Sequence, residues 1–262
     1  MFRALTTAAT GMNVQEKKIN IIANNLANVN TDGFKKSRGD FQDLIYTDEK
    51  AAGTVNANEA RLPTGLSIGH GSVLASTSRL HTGGEIKNTG NPLDIAIEGR
   101  GFFQVQLPTG ETGYTRAGNL KKNAEGNLVT ADGYQIQPNI AIPQDAVNVT
   151  IGSDGTVSVL QAGQTSPQEV GKIELAMFSS DQGLRTIGRN LYVPTEASGQ
   201  PITGQPGQNG MGSLLQAHLE KANVSVVEEM IEMIVSQRAY EVNSKTIQAA
   251  DEMLGRVANL KR

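Results

Sequence analysis

His70, His81 and His218, with the close pair Asp94 and Glu98, are the side chains best suited by type to chemistry. Two carboxylates flanking a bond can hydrolyse a glycoside by acid–base catalysis. Paired histidines can hold zinc. Neither arrangement is complete. The histidines lie in unrelated contexts, with no His-Glu-x-x-His spacing. Only Phe102 and Phe103 stand near the carboxylates to line a sugar cleft. Gly99-Arg100-Gly101 opens a strand rather than a helix, so no helix N-terminus faces a phosphate there. The P-loop and nucleophile-elbow patterns are absent. Asp132-Gly133 and Asp154-Gly155 read as turns. Without cysteine, thiol catalysis, disulfides and thiolate metal sites are excluded. The sequence assigns no catalytic, cofactor-binding or metal-binding residue, and predicts neither an enzyme nor a bound cofactor.

Two strings use polar side chains differently. Residues 22–35, Ile-Ala-Asn-Asn-Leu-Ala-Asn-Val-Asn-Thr-Asp-Gly-Phe-Lys, concentrate asparagine near the end of a helical pattern. Asparagine is a poor helix former because its amide competes for backbone groups. Asn28 and Asn30 fit a solvated helix end. Asn24 and Asn25 fit amides that bond neighbouring backbone or close a turn. Residues 237–245, Gln-Arg-Ala-Tyr-Glu-Val-Asn-Ser-Lys, set Tyr240 among Arg238, Glu241 and Lys245.

Helices must carry both strings. Leu5, Ala8, Met12, Ile19, Ile22, Leu26 and Val29 follow steps of three and four, broken at Gln15. This predicts a helix over about 4–29, weakened at Gly11 by roughly 1 kcal/mol relative to alanine. Val226, Met233, Tyr240, Ile247 and Leu254 recur every seven residues, predicting a last helix over about 224–260. Asn223 or Ser225 can cap it, and Glu228-Glu229 suit the positive end of its dipole. A polar column, Gln237, Ser244 and Asp251, narrows the apolar seam. Ala9, Ala23, Ala27, Val227, Ile231 and Ile234 are left on outer faces that would want further helices, unless the pair merely caps the middle of the chain as a hairpin.

That middle reads as β structure. Leu93/Ile95/Ile97, Phe103/Val105/Leu107, Val147/Val149/Ile151 and Ile173/Leu175/Met177 alternate with polar residues, and Gly- and Asp-rich turns separate them. Residues 47–61, ending at Pro63, read as an extended loop or long exposed hairpin. The domains expected are 1–32, the N-terminal helix; 33–71, a connecting segment; 72–211, a central β domain; and 212–262, a return segment and the C-terminal helix. The fold class is α+β: long terminal helices paired as a coiled-coil-like stalk, with a central irregular antiparallel all-β domain. Hydrophobic residues at 38% support a real core, and aromatics at 4% leave it to Val, Ile, Leu and Ala. A net charge of −3 gives no general attraction to nucleic acid or anionic lipid, and Lys35-Lys36 and Lys121-Lys122 read as solvated surface. No run approaches the roughly 18 apolar residues of a membrane span, and the first residues lack the apolar core of a signal peptide. The chain reads as cytosolic, or as exported by a route that needs no such signal.

The two asparagine- and tyrosine-centred strings resemble the N- and C-terminal signatures of the bacterial flagellar rod and hook family. Residues 93–105, Leu-Asp-Ile-Ala-Ile-Glu-Gly-Arg-Gly-Phe-Phe-Gln-Val, resemble the opening of that family's head domain. Residues 62–69, residues 79–81 and the length are most similar to its distal rod members; hook and proximal rod members are near relatives. The resemblance implies a structural subunit whose terminal helices line the inner tube of a helical polymer, a rigid hollow shaft that transmits torque and conducts export substrates. It implies that a stretch like 47–63 stiffens the tube. It implies unfolded export through the flagellar type III apparatus without signal cleavage, and a place in the basal body where the rod crosses the periplasm. The partners implied are other copies, proximal rod proteins, the hook protein and the surrounding P and L rings, with no nucleic acid and no membrane insertion. The assembly contacts implied are Leu5, Met12, Ile19, Ile22, Leu26, Met233, Tyr240, Ile247 and Leu254. Asn24, Asn25, Asn28, Arg238 and Glu241 would supply polar registry. Phe41 with Ile45 resembles a short aromatic–aliphatic export motif, or reads as a packed hydrophobic pair. An exported β-domain binding or adhesion protein is the alternative of a different class.

Overall fold

The computed structural model of the chain describes residues 2–51, 64–164 and 166–260. They form two compact units. One comprises Met1–Ala27, Ser37–Ser78 and Ser225–Arg262; the other comprises Asn28–Lys36 and Arg79–Val224.

The first unit is built on two helices, α1 (Phe2–Ala27) and α2 (Val226–Leu260). They run antiparallel. A Cβ at Gly11 would stand 2.9 Å from Asn243 Nδ2, and Lys18 Nζ lies 3.3 Å from Glu232 Oε2. The glycine that weakens α1 thus makes room for a side chain of α2. α1 stops at Ala27 because the asparagine run closes a turn there, with Thr31 N donating to Asn28 O (3.0 Å). Ser225 caps α2: Glu229 N donates to its carbonyl at 3.0 Å, and Glu228 N reaches its Oγ at 3.5 Å. Strands β1 (Ser37–Asp43) and β4 (Ser72–Arg79) pair, and β2 (Tyr46–Lys50) and β3 (Leu66–Gly69) form an antiparallel hairpin base. The rest of the expected hairpin, 52–63, lies outside the described residues. Ile21 Cδ1 and Leu74 Cδ1 meet over Gly39 of β1, 3.0 and 2.9 Å from where a Cβ would stand, so a side chain there would press on both.

The second unit is antiparallel β structure. Its strands begin with β5 (Ile86–Asn88), β6 (Ile95–Glu98), β7 (Phe102–Gln106) and β8 (Thr112–Thr115). β7 sits inside a seven-stranded sheet, between β8 on one edge and Leu175–Met177 and Ile136–Gln137 on the other. Alternation along β7 predicts one buried face. Both faces are buried, because each carries its own core. Phe103 and Val105 belong to an aliphatic cluster with Ile95, Leu120, Ile136, Ile173 and Leu175. Phe102 belongs to an aromatic cluster with Tyr114, Phe178 and Tyr192, whose rings meet edge to face at 4.8–5.9 Å. Four of the chain's eleven aromatic residues are gathered in this one cluster. Val147, expected inward with Val149 and Ile151, is 71% exposed. A register shift between Ala146 and Asn148 turns it out.

The reading of Lys35 as surface is overturned. Lys35 is fully buried, with Nζ donating to Glu220 Oε1 (2.5 Å) and Thr82 O (2.7 Å). The buried guanidinium of Arg116 completes the group, with Nη1 3.4 Å from Glu220 Oε2. Around this triad Gly33 N donates to Glu220 O, Arg79 Nη1 to Lys35 O, and Lys36 N to Asn223 Oδ1. Asn223 Nδ2 donates to Leu80 O (2.8 Å), so Asn223 ties segments together and leaves capping to Ser225. Residues 33–36, 79–84 and 220–223 are thereby clamped into one knot.

Candidate assembly interface

The heptad column read from the sequence is half of a complete seam. Met233, Ile247 and Leu254 are half-buried and Tyr240 is 42% exposed. A second column is offset by three and four residues: Glu229, Ser236 and Ala250, all buried, with Asn243 half-buried among them. Together they give alternating steps of four and three along α2, the spacing of a helix lying against another helix. The residues of this second column are polar or small, so apolar periodicity does not pick them out. Its own seven-residue period, and the glycine of α1 opposite Asn243, are the signals that betray it.

α1 presents Ile22 and Ala8 buried, and Leu5, Met12, Ile19 and Leu26 half-buried. Asn24 is exposed and Asn28 half-buried in the turn after the helix. Asn25 is buried. Its Nδ2 donates to Ser37 O (2.9 Å) and to Glu229 Oε2 (3.2 Å), and its Oδ1 accepts from Ser37 N (2.9 Å). One amide thus mimics a strand neighbour for Ser37 and gives the buried Glu229 carboxylate a donor. Arg238 and Glu241 are exposed and pair with each other at 3.0 Å along one helix face. Phe41 is partly exposed and Ile45 is 79% exposed, so the two do not form a packed pair within the chain.

The outward side of α2 is apolar as well. Val227, Met230, Ile231, Ile234, Val235 and Val242 are all more than half exposed. Residues at 227, 230, 231 and 234 share a face of a helix with 3.6 residues per turn. An apolar band of that extent on a helix whose seam is already half polar is poorly suited to water.

The side chains that suggested chemistry serve structure. Asp94 accepts from Thr89 Oγ1 (2.6 Å) and Asn91 Nδ2 (2.9 Å), closing the loop before β6. His70 Nε2 is bonded to Thr47 Oγ1, and His218 Nδ1 to Gln216 O. His81 is held edge-on against Phe102 and Tyr192, and burial pushes it down to about 4, with Lys35, Arg116 and Arg79 nearby reinforcing the shift and Asp181 opposing it. Among the described residues no cluster of three metal-ligating side chains exists, and no helix is long and apolar enough to cross a membrane.

Three family descriptions match the chain in sequence order: flagella basal body rod protein over residues 5–35, flagellar hook protein FlgE/F/G D1 domain over 96–159, and flagellar basal body rod FlgEFG protein C-terminal over 215–260. The chain is 48% identical to the flagellar basal-body rod protein FlgG of Borreliella burgdorferi, over 100% of both chains. It is 46% identical to FlgG of Caulobacter vibrioides over 99% of each chain, and 31% identical to the flagellar hook-basal body complex protein FlhP of Bacillus subtilis over 100% of both. The matched terminal segments are α1 with its asparagine turn, and α2. These relatives are rod and hook-basal-body proteins rather than enzymes, and the chain belongs to the FlgG family of flagellar basal-body rod proteins.

Proposed function

We propose that this chain is the structural subunit of a flagellar distal rod, polymerising into a rigid hollow helical shaft that transmits torque and conducts export substrates. The observation that carries the reading is the exposed apolar band of α2, set on a helix whose other side is satisfied by α1. Copies stacked with a fixed rotation and rise cover that band without closing a ring, which yields a filament. In this reading Leu5, Met12, Ile19, Ile22, Leu26, Met233, Tyr240, Ile247 and Leu254 set the helix pair that each copy presents. Asn24, Asn28, Arg238 and Glu241 lie where neighbouring copies can fix register, and Asn25 holds the pair itself in shape. Proximal rod proteins and the hook protein meet the two ends of the shaft, the P and L rings surround it, and the type III apparatus exports the subunit. Phe41 and Ile45 are available to that apparatus as an export signal.

The double variant Ile231→Asp/Ile234→Asp tests it. Both positions are more than half exposed, at 56% and 55%, so the monomer should keep its melting behaviour to within about 0.5 kcal/mol. Filaments should be absent by electron microscopy and basal bodies should stop short of the distal rod. Normal rods from this variant would refute the reading and favour a binding module whose helices only brace the β unit.

A further inference from the structure

The β unit contains a cleft of about 260 Å³ that plays no part in the helix pair. Three turns wall it. The first is the two-residue hairpin turn between Arg185–Gly188 and Leu191–Val193, where Arg189 (φ 53°) and Asn190 (φ 57°) are both left-handed. Asn-Gly is the usual occupant of such a turn, and a long side chain in its first position costs strain. The second is the turn Thr130–Gly133, closed by Gly133 N donating to Thr130 O (2.9 Å). The third is Thr31–Asp32. The three are pinned together. Asn190 Nδ2 donates to Asp32 O (3.0 Å), Arg189 Nη1 to Tyr134 Oη (2.9 Å), and Thr115 Oγ1 to Asn190 O (2.9 Å). Walls fixed in advance leave little ordering to be done when a ligand enters.

What remains unspent defines the ligand. The carboxylates of Asp32 and Asp132 and the amide of Asn119 make no hydrogen bond among the described residues, and Arg189 has used one of its guanidinium donors. The Asp32 carboxyl is raised from its ordinary value, first by burial and then by Asp94, with Lys87 opposing the shift, so water is already partly excluded from it. An anion would meet two carboxylates. A cation would meet a guanidinium. An uncharged ligand rich in hydroxyls satisfies both, because each hydroxyl donates to a carboxylate and accepts from a guanidinium or amide. Ala117, Ala131 and Leu191 offer apolar wall for a ring face. The volume is below the roughly 300–1,000 Å³ of sites for drug-sized ligands, which suits one ring at a time.

We propose that this cleft binds a single pyranose ring of a neutral sugar or glycan. The assignment does not depend on the polymerisation reading, and it concerns the dilute full-length chain.

Amide NMR spectra of that chain, titrated with methyl glucopyranoside, N-acetylglucosamine and chitotriose, test the proposal. Arginine and inorganic phosphate serve as charged controls. The sugars should shift amides at and beside Asp32, Asn119, Asp132 and Arg189, saturating in about the millimolar range. Asp132→Asn, at an exposed turn position that accepts asparagine, and Asp32→Asn should each weaken binding about tenfold while the rest of the spectrum stays in place. Tighter binding of chitotriose than of the monosaccharides identifies a glycan chain as the source, and equal binding identifies a free sugar; either supports the site. Absence of shifts with every sugar would overturn the proposal. So would shifts by arginine or phosphate alone, or sugar binding unchanged in both variants.

Discussion

Glu220 carries a larger share of the β unit than its position near a strand end suggests. It is the carboxylate facing both Lys35 and Arg116 in a buried site, and its oxygens also accept from Gly84 N. Burying such a group adds little net stability, but removing one partner leaves charge uncompensated. Glu220→Ala should therefore cost about 3–5 kcal/mol in urea unfolding of the full-length chain, far more than an exposed substitution. His81 makes a different prediction. Its folded value of about 4 lies below its ordinary 6.5, so between those values the unfolded chain binds a proton that the folded chain does not. Its contribution is intact above pH 6.5 and is lost as pH falls toward 4, by up to about 3 kcal/mol. His81→Phe, which keeps an aromatic edge against Phe102 and Tyr192, should flatten that part of the stability–pH curve in a urea-midpoint series. A curve equally steep in the variant would assign the acid sensitivity elsewhere. At this scale the sequence was least legible. Lys35 beside Lys36 looks like surface, and only the return of Glu220 from 185 residues away makes it core. Asn25 was better marked, because an amide inside a helix is costly without a partner.

At the scale of elements, periodicity revealed the helices and concealed how they meet. Met233, Tyr240, Ile247 and Leu254 stand out because they are large and apolar. Ser236 and Ala250 are more deeply buried than any of these, and Gly11 of α1 stands opposite Asn243 in the same column. Ser236 Oγ is buried at 1% residue exposure and has no hydrogen-bond partner among the described residues. Ser236→Ala removes that unsatisfied hydroxyl and gains helix propensity, so it should raise stability by about 0.5–2 kcal/mol, read from the chemical-denaturation midpoint. A loss would mean that the hydroxyl has a partner in solution. The strands show the opposite balance. Their turns and alternation were readable, but burial of both faces of β7 was not, since period two describes a strand with only one covered side. Val147 escaped for a local reason: a bulge reverses the inside and outside that alternation assigns.

At the scale of the whole molecule, the order helix, β structure, helix is legible from end to end, and the two terminal strings carry the family resemblance by themselves. Less legible was the division of the chain, because packing assigns Asn28–Lys36 to the β unit and Ser37–Ser78 to the helical one. No composition shift marks those crossings; hydrogen bonds such as Gly33 N to Glu220 O do. The β2–β3 hairpin belongs to the assembly question. Tyr46 and Leu66 on its base are exposed, and its length exceeds that of an ordinary connection. Deleting 47–63 should leave the subunit folded and yield shafts that bend or loosen under electron microscopy, whereas straight, stiff shafts would remove the hairpin from any role in rigidity.

The link between Asn223 and Leu80 makes the chain modular. The strand of peptide that departs for most of the β unit and the one that comes back stand a single hydrogen bond apart, 2.8 Å between Nδ2 and the carbonyl. A foreign cassette whose own termini are adjacent can be spliced between those two points without stretching the backbone on either side. Such a graft would have to supply new company for Phe34 and Lys35, which would otherwise lose the burial they now enjoy.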